Sequence, residues 1–240
     1  MLAVYLLTLV CVITYAFEIV FGLAGTTMML MVMSYFFAPK TLVIYSILPQ
    51  ILVGAIGLVR SPRTVRLGVL GPMLAFAAVG AAFGLYLFYY FSSHAFAVLL
   101  ACAIMVFGIY LVLRPAGLSI SRPVGHVLDT MAGVSQGLFG ISGPVAMTRL
   151  LGTFADKTVV RNYALAFFLA MNLFRGGGYI LNDTITPEIR DMMLVSAPFL
   201  VIALWFANHL HFKVNEALFR NVVAWIILLG GLSLLFNALH

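Results

Sequence analysis

Of the 240 residues, 64% are apolar and only 8% are charged, whereas a soluble domain carries roughly 25% charged residues. Such a chain cannot cover itself with polar surface, so lipid is its solvent over most of its area. Its apolar runs are also too long for a protein that merely lies on a membrane. The net charge of +6 comes from thirteen Lys and Arg spread through short loops without a basic stripe, which argues against a nucleic-acid partner.

The first twenty residues are apolar, lack a basic leading segment and contain Glu18. They read as mature structure rather than a cleaved leader. They run into Phe21-Gly22-Leu23-Ala24-Gly25-Thr26. A spanning helix needs about 20 apolar residues, and stretches of that size follow at 42–59, 68–91 and 95–113. Residues 114–125 hold two Pro, two Gly and two Arg and read as a linker. The expected division is therefore 1–114, a linker at 115–125, and 126–240. In the second part come a 126–155 segment, spans at 158–174, 192–210 and 217–237, and a loop at 175–191.

The two parts repeat one another. The first motif returns as Phe139-Gly140-Ile141-Ser142-Gly143-Pro144, an offset of 118 residues. Phe37-Ala38-Pro39-Lys40-Thr41 returns as Phe154-Ala155-Asp156-Lys157-Thr158, an offset of 117. In so apolar a chain, an internal duplication is the usual signature of a transporter built from two halves. The 126–155 segment is too short for two spans and too long for one. Gly140 and Gly143 weaken helix, and Pro144 suits the first turn of a new one. A broken hairpin returning from mid-membrane fits, with longer arms in the first copy. With 60–66 in the cytoplasm, this hairpin puts ten of the thirteen Lys and Arg inside and leaves Lys40, Arg175 and Arg190 outside. That obeys the positive-inside rule and inverts the second half relative to the first. The expected fold is thus an all-α polytopic membrane protein of two inverted repeats. Each repeat is a broken helical hairpin with a Gly motif plus three spanning helices.

Each break starts a half-helix whose free N–H groups and positive dipole end point at the membrane centre, where an anion is favoured. Gly25 and Gly143 open these turns, and Thr26, Thr27 and Ser142 add hydroxyl donors. A bland alternative is that the glycines only permit close helix packing. Gln50 and Asn172, polar residues in the helices after the hairpins, are candidate donors to an oxyanion or else interhelical hydrogen-bonding groups. Glu18 precedes the first motif and matches Gln136 in the second copy. A carboxylate in lipid is costly and usually functional, which makes Glu18 the proton-coupling candidate; the alternatives are a structural hydrogen bond or a position nearer the surface. Asp129 and Arg149 read as a salt bridge pinning the arms of the second hairpin. Arg175 reads as snorkelling to headgroups at the end of its helix. Tyr89, Tyr90 and Trp205 read as interface anchors. Cys11 and Cys102 sit in apolar runs, and no metal-ligand spacing, nucleotide loop or Ser/His/Asp set is present. The sequence therefore implies no enzyme, cofactor or metal.

The doubled Phe-Gly-Ile-Ser-Gly-Pro pattern, each copy followed by a short helix and a Lys-bearing turn, resembles the TauE/SafE family of sulfite and organosulfonate exporters. The resemblance covers nearly the whole chain, including Pro72 and Pro198 near the starts of later helices. The first copy, with Ala24 and Thr26-Thr27, departs from the commoner run of glycines. The resemblance implies a secondary transporter of small sulfur-containing anions, exporting them across the cell inner membrane. Anion and lipid bilayer are the expected partners, with a coupling proton or ion and a homo-oligomer left open. The competing class is a membrane-embedded assembly or scaffold subunit.

Overall fold

The computed structural model describes residues 2–21, 24–59, 65–113, 120–209 and 216–239. Gly22 and Leu23 of the first motif, Arg60 and Arg63, Arg114 with residues 115–119 of the expected linker, and His211 and Lys213 lie outside the described residues. The chain is helical throughout the described elements: α1 (Leu2–Phe21), α2 (Gly25–Met33), α3 (Pro39–Tyr45), α4 (Ile47–Leu58), α5 (Leu67–Tyr90), α6 (Ser93–Leu113), α7 (Arg122–Phe139), α8 (Gly143–Leu151), α9 (Lys157–Leu181), α10 (Pro187–His209) and α11 (Glu216–Leu239).

Among the described residues, six stretches are long and apolar enough to cross a membrane: Leu2–Val20, Pro39–Leu58, Leu67–Tyr90, Ser93–Tyr110, Thr158–Leu181 and Pro187–His209. A shorter apolar run, Ala224–Phe236, lies in α11. Val79, Phe83, Leu194, Phe206 and Leu229 stand exposed on the outside. In water such surface would be penalised by about 25 cal/mol per Å2; in lipid the penalty vanishes. α3 and α4 form one span interrupted at Ser46. Pro49 causes the interruption, because it has no N–H for the carbonyl of Tyr45 and its ring crowds that carbonyl.

Two expectations need correction. The span expected at 158–174 continues to Leu181, so the expected 175–191 loop shrinks to 182–186. The run Gly176-Gly177-Gly178 is poor helix by propensity, but the missing side chains let α9 seat against its neighbours. A Cβ on Gly178 would lie 2.8 Å from Leu85 Cδ1, and one on Gly176 would lie 3.4 Å from Ile47 Cγ2. The second correction is Pro198, which lies in the middle of α10 because that helix already begins at Pro187.

α4 and α9 run antiparallel through the centre: Ser46 meets Arg175, and Gly54 packs on Leu169. α6 and α11 are also antiparallel, with Gly108 against Leu228 and Gly231 against Met105. α5 and α7 run side by side in one direction along a seam of Gly80, Gly84, Gly133 and Gly137. A Cβ at Gly133 would come within 2.7 Å of the Ala77 carbonyl carbon, so these glycines serve close packing. α8 folds back along α7, bringing Arg149 Nε to 3.4 Å from Asp129 Oδ1. That ion pair closes the open end of the hairpin and leaves its tip, residues 140–142, in the interior.

Candidate functional site

Both helix breaks sit at residues with left-handed backbone. Ala24, just before α2, has φ 78°, and Gly140, just after α7, has φ 70°. An alanine in that conformation costs about 1–2 kcal/mol, so strain is stored at the first break. At Gly140 a side chain is excluded twice over: the φ favours glycine, and a Cβ would lie 2.9 Å from Arg175 Cζ. Nine-residue helices then begin at Gly25 and at Gly143.

The two breaks share one small cavity, lined from the first half by Glu18, Ala24, Thr26, Thr27 and Gln50. From the second half come Gln136, Gly140, Ile141, Ser142 and Gly143, and Phe107 and Phe168 complete its wall. In this conformation it has room for little more than a water molecule. Of the expected site residues, Glu18, Thr26, Thr27, Gln50, Ser142 and Gly143 line it. Gly25 stands behind Glu18: a Cβ there would lie 2.8 Å from Glu18 Cβ.

Asn172 also stands behind the cavity, and its polar atoms are taken. Its Nδ2 donates to the Phe168 carbonyl (2.8 Å), while its Oδ1 accepts from Gln136 Nε2 (3.0 Å) and Arg175 Nη2 (3.0 Å). Gln136, noted in the sequence only as the counterpart of Glu18, is the hub. It also donates to Gln50 Oε1 (3.2 Å) and accepts from Ser142 Oγ (2.7 Å). Gln50 Nε2 donates to the Gly140 carbonyl (2.9 Å) and to Thr26 Oγ1. Thr26 Oγ1 also bonds the Tyr15 hydroxyl at 3.0 Å. The amides therefore hold the two breaks together across the two halves.

The two half-helix N-termini differ. At α2, the Thr26 N–H donates to Glu18 Oε2 at 3.1 Å, so a carboxylate of the chain already sits at the positive end of that helix. At α8 the N-cap residue Ser142 turns its hydroxyl to Gln136 instead, and no other side chain among the described residues accepts from the first turn. A Cβ on Gly143 would meet only Phe107, at 3.7 Å, so this glycine borders open space rather than a packed helix. Thr27 is 1% exposed and lines the cavity, and its hydroxyl has no hydrogen-bond partner among the described residues.

Arg175 overturns its expected place at the headgroups: it is 0% exposed. Its guanidinium donates to Ser46 Oγ (2.9 Å), Asn172 Oδ1 (3.0 Å) and the Gln136 carbonyl (3.4 Å), while its Nε is buried without a partner. No carboxylate among the described residues pairs with it. The sequence does contain a hint: Asn172 and Arg175 are three residues apart, on one face of a helix that resumes apolar character at Tyr179-Ile180-Leu181.

The family model described as Sulfite exporter TauE/SafE matches residues 7–234. The chain belongs to the sulfite exporter TauE/SafE family. The match runs from α1 into α11 and so takes in both breaks, the cavity and Arg175. No curated protein and no solved structure matches the chain significantly. TauE/SafE proteins are membrane transporters and not enzymes, and this one is a multi-pass member. The resemblance carried by the two glycine motifs agrees with that membership.

Proposed function

We propose that this TauE/SafE protein is a secondary transporter that exports small sulfur-containing anions, such as sulfite or organosulfonates, across the inner membrane. The anion binds in the cavity between the two breaks, and alternating access exposes that cavity to one side and then the other. The observation that carries this reading is the donor set on the cavity. The N-terminus of α8, with no capping side chain among the described residues, and the hydroxyl of Thr27 face a space bordered by Ser142 and Gly143. A half-helix N-terminus at mid-membrane favours negative charge, and a sulfonate presents three oxygens to such donors. Glu18 on the same wall is the group that would couple transport to protons.

An inverted two-fold relation between 1–114 and 126–240 supports alternating access. α1 packs on α2 and α10 as α7 packs on α8 and α5, while α4 packs on α9 and α6 on α11 across the centre. Both central pairs are antiparallel, as an axis in the membrane plane requires. The scaffold reading is served by the glycine seam between α5 and α7, but Gly143 is not part of a tight seam, since a Cβ there would meet only the Phe107 ring at ordinary contact distance.

A thermal-shift series in detergent tests the proposal. Sulfite and an alkanesulfonate should raise the melting temperature in a saturable way, as ligands of the folded state do. A neutral sulfone of similar size should not. Equal shifts with all three, or none with the anions, would count against the site.

A further inference from the structure

We propose that the Glu18 carboxylate is a tethered stand-in for the transported anion. It holds the N-terminus of α2 opposite the fixed charge of Arg175, so that one substrate anion and one ionised Glu18 exclude each other. The inference rests on the site reading above and adds its coupling rule.

Three charged residues are buried among those described: Glu18, Asp129 and Arg175. Asp129 has its partner in Arg149. Glu18 and Arg175 have none, and both border the network around the cavity. Glu18 lines the cavity wall, while Arg175 touches Gly140 and holds Gln136 through its carbonyl. A buried charge without compensation is costly, and here one charge of each sign sits across a single set of hydrogen bonds. A monovalent anion entering while Glu18 stays ionised would put two negative charges on one buried wall. It would also find the Thr26 N–H already bonded to Glu18 Oε2.

Protonation resolves both conflicts. A proton from water adds to Glu18 Oε2, that oxygen gives up the Thr26 N–H, and the N–H turns to a sulfonate oxygen. On release the anion departs, Glu18 returns the proton to water, and its carboxylate recaptures the N–H. No other bond changes. The counterpart of Glu18 in the second copy is Gln136, which cannot carry the charge, so the exchange is confined to α2. The groups facing Glu18 fit this role. Tyr15 on α1 bonds Thr26, Gln50 comes from α4, and Arg161 from α9 donates to the Ile19 carbonyl at 3.0 Å. α2 and α4 carry no carboxylate, and those of α10, Glu188 and Asp191, lie toward its other end, before the contact of Ser196 with Thr8. The rule that follows is one proton per monovalent anion.

Titration calorimetry on the purified full chain, with ethanesulfonate in buffers of different ionisation enthalpy, reads this directly. That anion stays ionised throughout, so any proton taken up belongs to the protein. At alkaline pH the wild type should take up about one proton per anion bound, as linkage requires. Glu18→Gln keeps an acceptor for the Thr26 N–H but no exchangeable charge. It should take up none and bind at least about tenfold more tightly, because the competent state is no longer a minor one. Binding by the wild type without proton uptake, or uptake undiminished in Glu18→Gln, would overturn the inference. The wild-type arm decides the matter even if the variant folds poorly. Failure of the underlying site looks different: no variant and no wild type binds, or Thr27→Val binds as well as wild type.

Discussion

Thr27 and Arg175 carry the residue-scale argument from opposite directions. Thr27 lines the cavity, and Thr27→Val replaces its hydroxyl with a methyl of similar shape. Losing one hydrogen bond to a charged ligand costs about 1.5–3 kcal/mol, so sulfonate affinity should fall roughly 10- to 100-fold with the melting temperature of the empty protein held. Unchanged affinity in a calorimetric titration would remove Thr27 from the site. Arg175 is a buried cation without a carboxylate. Arg175→Gln should lower anion affinity by more than about tenfold, yet the empty protein should melt no lower than wild type, because an uncompensated charge has been removed. Collapse of the empty protein would instead make Arg175 a structural residue. Glu18, Thr26, Thr27, Gln50 and Ser142 were legible because polar groups stand out in apolar runs. The role of Arg175 was not, because its partners Ser46 and Gln136 come from elements far away in sequence.

At the scale of elements, glycine does two different jobs. Gly133 seats α7 against the backbone of α5, and a Cβ there would lie 2.8 Å from Ala77 Cα. Gly133→Ala should destabilise by about 1–3 kcal/mol through overpacking. Gly177 has nothing within 4 Å of its Cβ position, and Gly177→Ala should stabilise α9 by about 0.5–1 kcal/mol. Reversible unfolding in mixed micelles separates the two, and equal effects would contradict the packing described. The same contrast explains where element boundaries were missed. Arg175-Gly176-Gly177-Gly178 has the composition of a helix terminus, and only tertiary contacts with Ile47 and Leu85 show why α9 continues. The breaks after α1 and α7 were legible, because a Gly-rich turn followed by Pro144 in the second copy is a local signal.

For the molecule as a whole, the proposed inversion of the two halves fixes the sidedness of their loops. Arg66 precedes α5 and Asp183 follows α9; both are exposed. In a background with Cys11 and Cys102 replaced, single cysteines at 66 and 183 should react with a membrane-impermeant reagent from opposite faces of intact cells. The account expects Asp183→Cys to label from outside and Arg66→Cys only after permeabilisation. Labelling of both from the same face would refute the inverted halves.

The central claim is that this TauE/SafE protein carries small sulfur-containing anions through the cavity between its two broken hairpins, and counterflow in proteoliposomes tests it most directly. Vesicles loaded with unlabelled sulfonate should accumulate labelled sulfonate through the wild type and through Gly177→Ala. Gly143→Val, which puts bulk beside the uncapped α8 N-terminus, and Thr27→Val should exchange far less while staying folded and monodisperse. Folded wild-type protein that exchanges neither sulfite nor sulfonate above empty vesicles, or Gly143→Val and Thr27→Val exchanging at the wild-type rate, would contradict the account.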